Sequence, residues 1–174
     1  MRLFFAVNFD DDTKNRIISV QGQLRRQSSS GNFTRPQNLH LTLAFLGETP
    51  EGILPGLSSL LSKIPRPYCE IEFNRTGCFT HSRKELWWIG ADPACPGLRI
   101  LEKIHSQLFG LLMDENISFD TRPFMAHITL GRDIKKSGAI TLDFPGISIP
   151  IHRISLMKSE QIHGVLTYTE LCSN

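Results

Sequence analysis

The sequence predicts an α+β fold in which one domain, residues 1–174, is built from two similar lobes. Three observations predict it. Stretches with the period of strands and stretches with the period of helices follow one another with no linker and no low-complexity segment between them. Each half repeats one order: strand, helix, then a strand that begins at a histidine. The spacing from Leu3 to His40 nearly equals that from Leu86 to His127, so the halves read as copies of one supersecondary unit.

The elements follow in order. Residues 3–9 are apolar and rich in Phe, and read as a buried first strand. Asp10, Asp11 and Asp12 cap and charge the start of a helix that carries Ile17, Ile18, Val20 and Leu24 on one side. The helix ends near Arg25 and Arg26, where cations suit the negative C-terminal end. Ser28–Gly31 reads as a loop, the most flexible part of the chain. Residues 39–46 alternate and predict a strand. Leu54, Leu57, Leu60, Leu61 and Ile64 fit a helical stripe, stopped by Pro65 and Pro67. Residues 68–74 and Leu86–Ile89 predict further strands. A helix follows Pro96-Gly97 with Leu98, Leu101, Ile104, Leu108 and Leu111 in register. A strand covers about 125–131, and residues 133–146 fit no single element. The tail, roughly 147–157 and 163–171, predicts a closing pair of strands that turns near Gln161–Gly164.

Composition limits what the chain does. Hydrophobic residues make up 40% and charged residues 21%, an ordinary globular balance that excludes disorder on compositional grounds. The 19 Lys and Arg exceed the 17 Asp and Glu only slightly, for a formal charge of +2. Such an excess does not coat a nucleic acid, so any contact with RNA falls to a local patch or an end-group site. The apolar run Leu3–Val7 is too short for a signal-peptide core, and no stretch approaches the length of a membrane span. Cys69, Cys78, Cys95 and Cys172 form no C-x-x-C pair, which excludes zinc-ribbon and thioredoxin readings. They read as small buried hydrophobes in a cytoplasmic, reduced protein. The chain is expected to be a monomer.

The candidate chemistry lies in His40-Leu41-Thr42-Leu43 and His127-Ile128-Thr129-Leu130. On a strand, residues i and i+2 share a face, about 7 Å apart. Each histidine therefore shares a face with its threonine while Leu41, Leu43, Ile128 and Leu130 pack behind. Two such strands side by side present two imidazoles and two hydroxyls to one groove. Imidazole titrates near ~6.5, so one ring can accept a proton while the other donates one. Opening a cyclic phosphodiester needs both: a base for water and an acid for the departing ribose oxygen. Thr42 and Thr129 can hydrogen-bond the non-bridging phosphate oxygens, and Arg132 can neutralise the phosphate. The near-symmetry of the motifs leaves the two proton roles interchangeable.

A lone His-x-Thr on a strand is usually polar decoration. Two copies at the same place in a repeated unit reverse that reading. A metal site lacks further ligands in register, and the two histidines already supply the proton transfers, so no metal or cofactor is expected. His81, His105, His152 and His163 lack the Thr trailer and are read as non-catalytic, with His105 at a helix surface or boundary. Phe5 and Phe45 are candidates for lining the groove and stacking on a base. Trp87 and Trp88 point to opposite faces of a strand, which predicts one in the core and one partly exposed. Arg25-Arg26 and Lys135-Lys136 are read as solvated surface.

His40-Leu41-Thr42-Leu43-Ala44-Phe45-Leu46-Gly47-Glu48 and Phe124-Met125-Ala126-His127-Ile128-Thr129-Leu130-Gly131-Arg132 resemble the signatures of the two-histidine (2H) phosphoesterase superfamily. Within it the chain resembles the bacterial and archaeal RNA 2',3'-cyclic phosphodiesterases, also known as 2'-5' RNA ligases. Leu3–Val7 resembles that family's opening strand, and Ser159 with Gly164 and Tyr168 its closing segment, where Tyr168 joins the candidates for the groove lining. The resemblance implies two pseudo-symmetric lobes with antiparallel sheets flanking a central groove and helices outside. It implies metal-independent hydrolysis of RNA 2',3'-cyclic phosphate ends to 2'-phosphate ends, with reversible 2'-5' ligation. It also implies His40 as proton donor, His127 as proton acceptor, and Thr42, Thr129 and Arg132 as phosphate ligands. Two departures stand out. Ala126 replaces a proline before the second histidine, and Leu166 and Thr167 stand where some relatives carry a basic residue. Rival readings are a phosphodiesterase of small cyclic nucleotides or ADP-ribose cyclic phosphate, and a non-catalytic RNA-end binding module.

Overall fold

Asp10 starts the first helix as the sequence predicts, its carboxylate accepting the backbone N–H of Thr13 at 2.8 Å. The computed structural model describes residues 1–82 and 84–174, with residue 81 described by its backbone alone. Its strands are β1 (Arg2–Asn8), β2 (Ser28–Phe33), β3 (His40–Glu48), β4 (Cys69–His81), β5 (Lys84–Ala91), β6 (His127–Lys136), β7 (Ile147–Ile151), β8 (Ser155–Ile162) and β9 (Val165–Ser173). Its helices are α1 (Asp11–Arg26), α2 (Leu54–Ser62) and α3 (Pro96–Asp114).

The nine strands form one curled antiparallel sheet in the order β7-β4-β5-β6-β3-β1-β8-β9, with β2 paired to β6. That order repeats itself about the β6–β3 seam. On one side β1, α1 and β3 form the motif-bearing unit; on the other β5, α3 and β6 do. The two lobes of the predicted α+β fold are these halves, joined into one sheet where β3 meets β6 at one pair, Leu41 opposite Ile128, and where β2 pairs with β6. One face packs on the helices. Leu3, Phe5, Val7, Leu41, Leu43, Ile128 and Leu130 share a buried cluster there with Ile17, Leu24, Leu57, Leu101 and Leu108. The other face carries a small cluster of Phe4, Ala6 and Met157, with Phe45 and Tyr168 packed against it. Among the described residues, no helix is long and apolar enough to cross a membrane.

Several expectations are corrected. Ser28–Gly31 is not a loop but most of β2, paired to the edge of β6. Ladder bonds come from the backbone, so a serine run can form an edge strand where a neighbour offers free amides and carbonyls. Gly31 permits the approach: a Cβ there would collide with Ile134 Cδ1. Residues 147–157 are two strands in different halves of the sheet, β7 against β4 and β8 against β1. The ambiguous stretch 133–146 splits into the end of β6 and an irregular connection. The α3 stripe closes on Leu112 rather than Leu111, the i+4 step from Leu108. Both tryptophans are buried, Trp87 at 9% and Trp88 at 8% exposure. Of the four free cysteines, Cys78 is exposed and the other three are only half-buried. The closing hairpin turns as expected, through His163 and Gly164 at φ of 50° and 75°, the left-handed pair that a two-residue turn needs.

Candidate active site

The groove is built on the seam. Leu41, Leu43, Ile128 and Leu130 are buried on the helix-facing side, so alternation turns His40, Thr42, His127 and Thr129 to the opposite side. Continuing the Leu41–Ile128 register by one residue sets His40 across from Thr129 and Thr42 across from His127. The four side chains thus mark the corners of one patch, with the histidines on a diagonal.

Beyond the threonines both strands break alternation in the same way. On β1, Phe5 pairs with Ala44 and Ala6 with Thr42, which leaves Leu43 as an extra residue in β3. On β5, Trp88 pairs with Thr129 and Trp87 with Gly131, which leaves Leu130 as an extra residue in β6. Each bulge falls three residues after its histidine and reverses the phase of the residues beyond it. The residue five after each histidine, which a regular strand would aim into the core, is thereby returned to the groove. That residue is Phe45 in one half and Arg132 in the other, and both line the cleft.

The histidines are held alike at one nitrogen and differently at the other. His40 Nδ1 lies 2.7 Å from the Asn38 carbonyl, and His127 Nδ1 lies 2.7 Å from the Met125 carbonyl. A carbonyl only accepts, so both rings carry a proton on Nδ1 and keep Nε2 for chemistry. His40 Nε2 accepts the Thr42 hydroxyl at 2.9 Å. Asn38, itself buried, donates its side-chain amide to the Leu166 carbonyl at 2.9 Å and so ties the turn before His40 to β9. Burial pushes the His40 imidazolium down from 6.5 to about 4, against the pull of the Asn38 carbonyl and with help from the Arg132 and His127 charges. Burial also lowers His127, again opposed by its carbonyl partner and assisted by Arg132 and Arg122.

Aromatic rings flank each imidazole. Phe4 lies 5.0 Å and Tyr168 5.2 Å from the His40 ring. Phe79 lies 5.5 Å and Trp88 6.5 Å from the His127 ring. The assignment of Phe5 to the groove is therefore corrected: Phe5 is fully buried in the core, and its neighbour Phe4 takes the groove face because strand alternation separates them. Tyr168 abuts His40 itself.

The cleft encloses about 550 Å³. It brings together His40, Thr42, Phe45, His127, Thr129 and Arg132, all singled out in the sequence. It adds Phe79, His105, Phe109, Asp120, Arg122 and Phe124, which sequence reasoning missed. His105 and Phe109 stand at i and i+4 beside the core stripe of α3, a spacing that marks a second helix face. Arg122 and Phe124 carry no pattern, because they lie on an irregular segment. The side chain of His81 lies outside the described residues; His152 and His163 are exposed and do not line the cleft. Lys136 pairs with Glu85 at 2.8 Å, and Arg25 stacks on Phe33 at 4.1 Å, both away from the cleft. Among the described residues, no group of three His, Cys, Asp or Glu side chains is placed to hold a metal ion.

The chain is similar in sequence and fold to known phosphoesterases. The family model of LigT-like phosphoesterases matches residues 7–88. The RNA 2',3'-cyclic phosphodiesterase of Escherichia coli K12 is 31% identical over 173 residues, spanning 98% of this chain and 93% of its own. The enzyme of the same name from Thermus thermophilus is 29% identical over 165 residues, spanning 92% of this chain and 82% of its own. Among solved structures, E. coli LigT complexed with 3'-AMP superposes with a TM-score of 0.83 at 28% identity, covering 99% of this chain and 95% of that one. TT0787 of Thermus thermophilus superposes with a TM-score of 0.80 at 29% identity, covering 99% and 96%.

Proposed function

Because this chain belongs to the LigT-like phosphoesterase family, whose named relatives are hydrolases of cyclic phosphodiesters, we propose that it opens 2',3'-cyclic phosphate ends of RNA to 2'-phosphate ends. The observation that carries the proposal is the seam pair Leu41–Ile128, which sets two His-x-Thr strands side by side. His127 Nε2 takes a proton from water as the water oxygen attacks phosphorus. The P–O3' bond breaks, and His40 Nε2 gives its proton to the departing 3'-oxygen. Thr42 and Thr129 donate to the non-bridging oxygens, and Arg132 balances the charge that develops on them. The lowered His40 pKa fits an acid that receives its proton with the substrate: an anionic phosphate at the ring favours the imidazolium. With a 5'-hydroxyl in place of water, the same bond changes yield a 2'-5' linkage and run in either direction. The continuous sheet supports a single domain, and the free thiols fit a reducing compartment such as the cytoplasm.

The test is turnover of a 2',3'-cyclic-phosphate oligonucleotide and of 2',3'-cyclic mononucleotides in EDTA. A 2'-phosphate product is expected, and no turnover of either substrate overturns the reading. His40→Ala and His127→Ala should each lower kcat by roughly 10²–10⁴-fold with the circular-dichroism spectrum unchanged. Full activity in either variant removes that histidine from the acid–base pair.

A further inference from the structure

Arg132 reaches the groove from an irregular stretch of β6. Opposite β5, Leu130 is one extra residue, and beyond Gly131 the single residue Leu86 stands against two, Arg132 and Asp133. Asp133 takes a φ of 53°, in the left-handed region that residues other than glycine seldom adopt. A strand so interrupted loses rungs of its ladder, and a buried carbonyl without a donor is costly. Thr34, just past β2, shows the loss. Its N–H donates to the Leu130 carbonyl at 2.9 Å, but among the described residues no backbone N–H donates to the Thr34 carbonyl in return. The missing donor comes from α1. Gln21, only 5% exposed in that helix, gives its side-chain amide to two carbonyls, Thr34 and Leu130, each at 2.7 Å. The far side of Arg132 is tied to the same α1–β2 unit, because Asn32 of β2 donates to the Asp133 carboxylate at 3.2 Å.

We infer that Gln21 is a positioning residue for Arg132: its amide holds the bulge at Leu130, and the bulge aims the arginine into the groove. The inference rests on the functional reading above, in which Arg132 meets the phosphate. Three observations point to positioning rather than to packing. Gln21 lies in the buried stripe of α1, among the apolar Ile17, Val20 and Leu24. An apolar side chain fills such a place with no polar group to desolvate, so the amide is explained by what it bonds. Both of its bonds end on irregular backbone, one at the extra residue of β6 and the other just past the end of β2. The contact also crosses the repeat. Gln21 belongs to the first half and Arg132 to the second, so the α1–β2 unit of one half sets the arginine of the other. Without the amide, two buried carbonyls are each short of a donor, and β6 is free to take up its extra residue elsewhere. Regular alternation from Ile128 then turns Arg132 to the helix-facing side.

Gln21→Met keeps the length of the side chain and removes its donors. The crystal structure of that variant is expected to show β6 shifted after Thr129 and the Arg132 guanidinium out of the groove. An unmoved Arg132 overturns the inference whatever the activity. Kinetics on a 2',3'-cyclic mononucleotide with Gln21→Met, Arg132→Ala and the double variant reads the coupling. Gln21→Met should lower kcat/KM by roughly 10–10²-fold, the scale of a misplaced group. In the Arg132→Ala background it should cost less than about twofold more, because the residue it acts through is already gone. Equal losses in both backgrounds mark a general structural role and overturn the inference. Gln21→Asn, which stays polar but is one methylene too short to reach both carbonyls, gives the same tests if the methionine variant does not fold. If Arg132 leaves the groove in these variants while Arg132→Ala keeps full activity, the phosphate role of Arg132 fails and the clamp stands.

Discussion

Two backbone carbonyls decide how each imidazole meets its substrate. Asn38 and Met125 lie two residues before their histidines and accept the Nδ1 proton, which leaves Nε2 facing the groove in both halves. The difference between the rings is environmental. His40 is enclosed by Phe4, Tyr168 and the Thr42 hydroxyl, and its pKa falls to about 4. This has a consequence for stability whose sign is definite. An unfolded histidine binds its proton near ~6.5; the folded one binds only near 4. Between those values the unfolded state holds more protons, so stability rises with pH across that window. It is fully present above 6.5 and lost as pH falls towards 4, by an amount of about 3 kcal/mol. Urea unfolding of the unaltered protein and of His40→Asn at pH 7 and pH 4 measures it. The variant should lose markedly less stability on acidification, and identical losses would show that His40 does not carry the penalty.

The elements around His127 rest on a platform that two glycines make possible. Trp88 lies on β5 across from Thr129 and spreads its indole over the two flanking strand positions. A Cβ at Gly77 would come within 2.5 Å of the ring, and one at Gly90 within 2.7 Å. Those distances are too short for any side chain, and the groove face at these positions is bare because the indole fills it. Gly77→Ala should displace Trp88, shift its fluorescence and destabilise the fold by about 1–3 kcal/mol, the range for overpacking a filled site. It should also lower kcat, because Trp88 and Phe79 flank the His127 ring. An alanine variant with unchanged emission and melting temperature would mean that the indole does not need the glycine. How legible the site was in the sequence depends on the same geometry. The four His-x-Thr side chains were readable from alternation alone. Phe4 was not, because a run of five buried residues hides which side faces the groove. Arg132 and Phe45 point to the groove only because of the bulges at Leu43 and Leu130, and nothing in residue type marks those.

At the scale of the molecule, the repeat legible in the sequence is the pseudo-symmetry of the sheet. The spacing of the two histidine motifs pointed to two units, and each is a strand–helix–strand unit whose strands pair directly. The closing strands were harder to place, because β7 and β8 are adjacent in sequence yet lie in different halves; the choice is made by which edge each one completes. Such a design makes the groove from few elements and little charge, which bears on how it holds RNA. The formal charge is +2, and the cleft contributes two arginines, Arg122 and Arg132. Arg122 is already engaged by the Asp120 carboxylate, which accepts from its guanidinium at 2.8 Å. Binding driven by phosphate neutralisation therefore rests on Arg132 and involves about one counterion, for a log–log salt slope near ~−0.7 on single strands. Raising salt from about 50 to 200 mM should weaken binding of a cyclic-phosphate oligonucleotide by less than about tenfold, against ~10³–10⁵-fold for a protein that tracks a backbone with many contacts. Fluorescence anisotropy on a labelled oligonucleotide with the His127→Ala protein, which holds the substrate uncleaved, measures the slope. A value steeper than about −4 would require a basic track along the RNA outside this cleft, and the recognition would then lie in the RNA body rather than in its end.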